Sequence, residues 1–127
     1  MIRQVNPPTI APPAAAYAHA MLVVKAYATL YTSGVVPTAP DGSVPDGIAA
    51  QARQVWANIQ AILAEADMTP GNIVSITTYA VVGHPLADVM AARDQALQGH
   101  LAASTLIPVV ALARPEWLVE ISVVAAK

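Results

Sequence analysis

From Ile48 to Ala66 the apolar residues Ile48, Ala52, Val55, Ile59, Ile62, Leu63 and Ala66 recur at three- and four-residue spacing. That period lines them along one side of a helix, and Asp46 just ahead of the run is a suitable N-cap. The spacing predicts a first helix over residues 46–66. Thr69-Pro70-Gly71 breaks it, and Asn72 to Val82 is dense in Ile, Val, Thr and Tyr, the composition of a buried strand. After Gly83-His84-Pro85 a second helical pattern places Leu86, Val89, Met90, Ala96 and Leu97 on one side and Asp88, Arg93 and Asp94 elsewhere. It is expected to end near Gly99.

The flanking segments carry β-prone runs instead. His19–Ala26 and Ala28–Val35 are closed by Ser33-Gly34 and Pro40-Asp41-Gly42, which predicts a hairpin followed by a loop. Thr105–Leu112 and Leu118–Ala125 are two more strands, joined by the turn Ala113-Arg114-Pro115-Glu116. Pro108 marks the first of these as an edge or bulged strand. The segment through Pro13, rich in Pro and Ala, reads as an extended arm. The order strand, strand, helix, strand, helix, strand, strand gives a single α+β domain over residues 1–127, with one mixed sheet and two helices on one face. The opposite face needs a cover, and no helix is left to supply it. Another copy of the same sheet is the economical answer, so a closed homo-oligomer is expected.

Composition sharpens this picture. Apolar residues make up 56% of the chain and charged residues 11%, against about 25% charged in an ordinary soluble domain. Part of the surface is therefore expected to be covered by other subunits. No stretch approaches the roughly 20 apolar residues of a membrane span, and the proline-broken N-terminus lacks the apolar core of a signal peptide. A cytoplasmic address is expected. The chain has no cysteine, which removes disulfides, thiolate nucleophiles and cysteine metal sites. A net charge of -2 with six scattered Lys and Arg offers no basic stripe for a phosphate backbone, so nucleic acid is not an expected partner. The histidines His19, His84 and His100 lie far apart, and no glycine-rich phosphate loop occurs. Neither a metal nor a cofactor is expected.

Candidate chemistry is sparse. In Leu118-Val119-Glu120-Ile121-Ser122-Val123-Val124, alternation sets Glu120 with Leu118, Ser122 and Val124, away from Val119, Ile121 and Val123. If that face lies at a subunit interface, the carboxylate could orient or deprotonate a water. A solvated or ion-paired strand glutamate is the plain alternative. Tyr17 and His19 share a face of an extended segment and could offer a phenol and an imidazole to one pocket. A packed tyrosine beside a surface histidine fits the same spacing. Ser104 and Thr105 open a strand, where hydroxyls and backbone N–H groups can bind a small anion. His84 and His100 are assigned to a helix entry and a helix C-terminus, and Trp56 and Trp117 to packing.

Taken together, several of these pieces resemble the RidA/YjgF family. Tyr17 in AAYAHA is similar to the tyrosine of that family's Gly-Pro-Tyr-Ser element, and LYTSGVVP to its Ser-Gly-Gln-Ile-Pro strand end. IAAQARQVWANIQAILAEADMT, NIVSITTY and ASTLIPVVALARPEWLVEISVVA follow in the family's order to the C-terminus. The resemblance implies a chorismate-mutase-like homotrimer with a small-molecule cleft at each subunit interface. It also implies a reaction, in which an enamine tautomerises to an imine, water adds and ammonia leaves. On this reading Glu120 holds the attacking water, Tyr17 is the cleft tyrosine, Gly34 lines the cleft with its backbone, and His19, Ser104 and Thr105 shape the pocket.

One departure stands out. Deaminating members carry Pro-Ala-Arg followed by Ser or Thr where this chain has Ala102-Ala103-Ser104-Thr105. Ser104, or Ala103 if the alignment shifts by one, occupies the arginine position. Loss of a charge-assisted pair worth about 1.5–3 kcal/mol predicts poor binding of ordinary 2-imino acids. Arg114 lies in a turn remote in sequence. An altered hydrolase and a non-catalytic metabolite-binding trimer are the two leading functional expectations. Chaperone-like association lacks a dedicated apolar patch, and the endoribonuclease activity sometimes attached to the family fits the acidic balance badly.

Overall fold

The computed structural model describes residues 1–127, and both expected helices are present, α1 over Ile48–Glu65 and α2 over Leu86–Leu97. The strands are β1 (Ile2–Val5), β2 (Ala20–Val23), β3 (Thr29–Tyr31), β4 (Ile73–Val81), β5 (Ala103–Val109) and β6 (Val119–Ala126). Four of them form a mixed sheet in the order β3-β6-β4-β5, in which only β4 and β5 run parallel. The β4–α2–β5 segment is thus the parallel crossover that the alternation of strand and helix patterns predicts.

Three local expectations are corrected. The N-terminal arm is not simply extended coil, because Ile2–Val5 pairs antiparallel with Ala20–Val23 as a separate two-stranded ribbon. The two runs expected to form a hairpin therefore part company, with β2 joining β1 and β3 joining β6. Likewise β5 and β6 are not neighbours, since β4 lies between them. Strand propensity identifies such segments but carries no information on partners, which are set by burial of the β6 side chains at the centre of the sheet.

The N-cap of the first helix is also one residue later than expected. Gly47, at φ 83° and ψ 152°, is the N-cap of α1, and no side chain caps it. Only glycine adopts that backbone readily, which places Asp46 outside the cap. Gln51 ties this end down instead. Its Nε2 donates to the Pro45 carbonyl at 3.0 Å and the Glu116 carbonyl at 2.9 Å, and its Oε1 accepts from the Leu118 N–H at 2.8 Å. Gln51 is buried, so Gln51→Ala should leave unsatisfied groups and lower unfolding stability by roughly 2–3 kcal/mol, measurable by urea denaturation.

The helices cover one face of the sheet. Val119, Ile121 and Val123 on β6 are at most 2% exposed and pack with Val55, Ile59 and Leu63 of α1 and with Val89 and Ala96 of α2. Each fully buried aliphatic side chain there contributes about 1.5–3 kcal/mol. Ser75, Thr77 and Tyr79 on β4 and Glu120, Ser122 and Val124 on β6 point the other way and are half-buried. No helix of the chain covers that face. No helix is long and apolar enough to cross a membrane.

Candidate functional site

Glu120 stands on this open face. Its strand partner is Tyr79 on β4. On the β3 side, Val35 and Ile121 exchange two backbone hydrogen bonds of 2.7 and 3.0 Å, drawing Ser33–Val36 alongside β6. As a result the Glu120 carboxylate lies directly over Gly34. A methyl group on Gly34 would overlap the Oε2, Cδ and Cγ atoms of Glu120. Gly34 is needed here for space, since its φ is not positive. The chain's one ion pair is Arg93–Asp94, so Glu120 has no cationic partner within its own chain.

Tyr17 belongs to a segment that runs beside the start of β5, held by the Ala18 N–H donating to the Ala102 carbonyl at 2.9 Å. Its hydroxyl accepts from the Ala14 N–H at 3.2 Å, and its ring meets the His19 imidazole edge-on at 6.2 Å. His19 itself is exposed. Its Nε2 lies 2.6 Å from the Ala11 carbonyl and its backbone N–H donates to Asn6 Oδ1 at 2.8 Å. Those bonds make His19 a brace of the loop and a flank of Tyr17.

A depression of about 380 Å³ lies beside this segment, lined by Tyr17, Met90, Arg93, Ser104, Thr105 and Leu106. The register of β5 divides its residues between the two faces. Ser104 pairs with Ile76 and so faces the helices, whereas Thr105 pairs with Thr77, which lies opposite Ser122 on the open face. Ala103 pairs with Ser75 and also faces the open side. The site residues named from sequence therefore fall into two groups. Tyr17, Ser104 and Thr105 share the depression, while Glu120 and Gly34 sit together on β6 and the adjoining segment. Because β4 separates β5 from β6, the groups are about 10 Å apart across the sheet.

Arg93 was not singled out by sequence reasoning, which placed it off the apolar side of α2. It is 7% exposed, and its Nη1 donates to Ser104 Oγ at 3.5 Å. The sequence signal was its setting in Ala91-Ala92-Arg93 with Ala96 beyond, small residues that leave room for a long side chain against the sheet. Two other polar side chains make local contacts. His100 Nε2 lies 2.7 Å from the Ile73 carbonyl, joining the loop after α2 to β4, and Arg114 stacks on Trp117 at 5.2 Å. No group of three histidine, aspartate or glutamate side chains converges to hold a metal.

Comparison with known proteins places these features in context. A family profile described as Endoribonuclease L-PSP matches residues 9–127. The crystal structure of a conserved Rid-family protein of unknown function from Yersinia pestis is 34% identical, with a TM-score of 0.89 over 99% of this chain and 98% of that one. The mitochondrial protein MMF1 of Saccharomyces cerevisiae is 42% identical over 72 residues, 55% of this chain but only 48% of that protein. Escherichia coli TdcF, solved with bound serine, shares the fold at 23% identity and a TM-score of 0.73 over 95% of this chain and 92% of that one.

Proposed function

Because the chain belongs to the Endoribonuclease L-PSP family, that of the RidA/YjgF proteins, we propose that it hydrolyses a small imine or enamine in clefts formed where copies close over the open sheet face. The observation that carries this reading is the Glu120 carboxylate seated over Gly34 on that face, without a cation to neutralise it. The proposed assembly is a homotrimer, in which the half-buried row Ser75, Thr77, Tyr79 and Ser122 is covered by neighbouring subunits.

In the proposed reaction an enamine first tautomerises to its imine. Glu120 accepts a proton from a water whose oxygen bonds to the imine carbon, and passes that proton to the imine nitrogen to give a neutral carbinolamine. Glu120 then takes the carbinolamine hydroxyl proton and delivers it to the amine nitrogen, the C–N bond breaks, and ammonia departs as the carbonyl forms. General-base action of this kind supplies about 10²–10⁴-fold. Tyr17 lies at the second half of the cleft, where its hydroxyl can donate to the substrate while accepting from Ala14.

The bound serine in TdcF favours a second reading, a metabolite-binding trimer without turnover. Ammonia release from freshly generated imines separates the two. The wild type should release ammonia faster than buffer, and Glu120→Gln should return the rate to within a few per cent of background. A Glu120→Gln protein as active as wild type would exclude the carboxylate mechanism. Light scattering should give three times the 13.1 kDa chain mass.

A further inference from the structure

We propose that Arg93, reaching in from helix α2, is the residue with which this chain binds a small carboxylate, in place of the strand arginine missing at Ala103-Ser104. This assignment takes its setting from the cleft reading above, but its test requires no turnover.

A guanidinium has five N–H donors in a fixed fork. Arg93 uses few of them. Its Nε donates to Asp94 Oδ1 at 3.0 Å, and Nη1 reaches Ser104 Oγ only at the long distance of 3.5 Å. Nη2 lies 3.0 Å from the same Asp94 oxygen, yet it is buried and makes no hydrogen bond. That contact is one of opposite charges at close range without hydrogen-bond alignment. Asp94 is also 47% exposed, so water competes for its carboxylate. A buried cation with unspent donors is costly unless something else satisfies it.

The depression against Arg93 supplies the place. Its volume of about 380 Å³ falls in the range of small-ligand pockets. Ser104 sets a hydroxyl near the guanidinium, Tyr17 lines the same depression, and Met90 and Leu106 give an apolar wall. β5 has a strand partner on one side only for most of its length, so its free edge presents unpaired backbone N–H groups as well. A planar carboxylate would match the fork bidentately once the guanidinium turns its buried Nη2 toward the depression, which a lysine ammonium could not do. The expectation that 2-imino acids bind poorly, drawn from the empty strand position alone, is then reversed.

Calorimetric titration with pyruvate and with pyruvamide, nearly identical in shape but differing in charge, tests the assignment. The wild type should bind pyruvate at least 10-fold more tightly. Arg93→Met should weaken pyruvate binding by about 10- to 100-fold and leave pyruvamide unchanged. Arg93→Lys, which keeps the charge and loses the fork, should fall between and decides the matter if the methionine variant does not fold. Arg114→Met, whose wild-type side chain stacks on Trp117, should retain full affinity. Equal binding of acid and amide, undiminished pyruvate binding in both Arg93 variants, an equal loss in Arg114→Met, or competition by inorganic phosphate at the same concentration would each overturn it. Failure of ammonia release alone would reject the hydrolytic reading and leave this one standing.

Discussion

Gly34→Val should abolish most activity while leaving the fold nearly intact. The Glu120 carboxyl group occupies the space a Cβ at Gly34 would need, so one of the two must move. The Gly34 backbone is held, because the next residue, Val35, is bonded in both directions to Ile121. The carboxylate is the free end of a flexible side chain on a half-buried face. It will swing away, at little cost to stability. A general base must stand within hydrogen-bond reach of the water it deprotonates, and a displacement of about 1 Å costs on the order of 100-fold. The expected loss in kcat/KM for ammonia release is therefore about 10²–10³-fold, with a urea midpoint close to wild type. Gly34→Ala should show a smaller loss in the same direction. Full activity in both would mean that Glu120 does not act from the position it occupies here.

The contact between Gly34 and Glu120 also shows where sequence reading stops. Period-two alternation placed Glu120 on the face away from Val119, Ile121 and Val123, as observed. Resemblance to a family brought Gly34 to the same cleft. Nothing in the order of residues, however, could say that these two touch, because their contact depends on β3 pairing with β6 instead of with β2. Helices were readable because their period is local and long, and α1 and α2 fall within a few residues of the expected limits. The β1–β2 ribbon was not, because Ile2–Val5 is short and its only signal lies in a distant partner. Arg93 escaped notice for a related reason. Charge on a helix reads as solvent-facing, and its burial follows from alanine neighbours and the position of β5.

Ile121→Ala should produce the largest loss of stability among conservative changes in β6, about 2–5 kcal/mol. Ile121 has no exposed surface and belongs to the core cluster that joins both helices to β4 and β6. Its strand lies between β3 and β4, so the surroundings cannot collapse onto the vacated space without moving two paired neighbours. The transfer and cavity contributions then add almost in full. At the size of this chain the change corresponds to a fall in Tm of roughly 10 °C or more. Thermal and urea unfolding at fixed protein concentration will measure it, the concentration being held because association between folded copies would add stability by mass action. A loss below about 1 kcal/mol would show that β6 is not the centre of the packing.

The two edges of the four-stranded sheet differ from its faces in what they permit. β3 is only three residues long, and β5 carries Pro108 within its span. A short edge offers little ladder to a newcomer, and proline removes one of the N–H groups that a templated strand would need. Strand-by-strand growth from chain to chain is thereby discouraged on both sides. In the proposed assembly copies would meet instead through the side chains of the open face, a contact that closes on itself and stops, so that the endless fibre a long bare edge invites does not form.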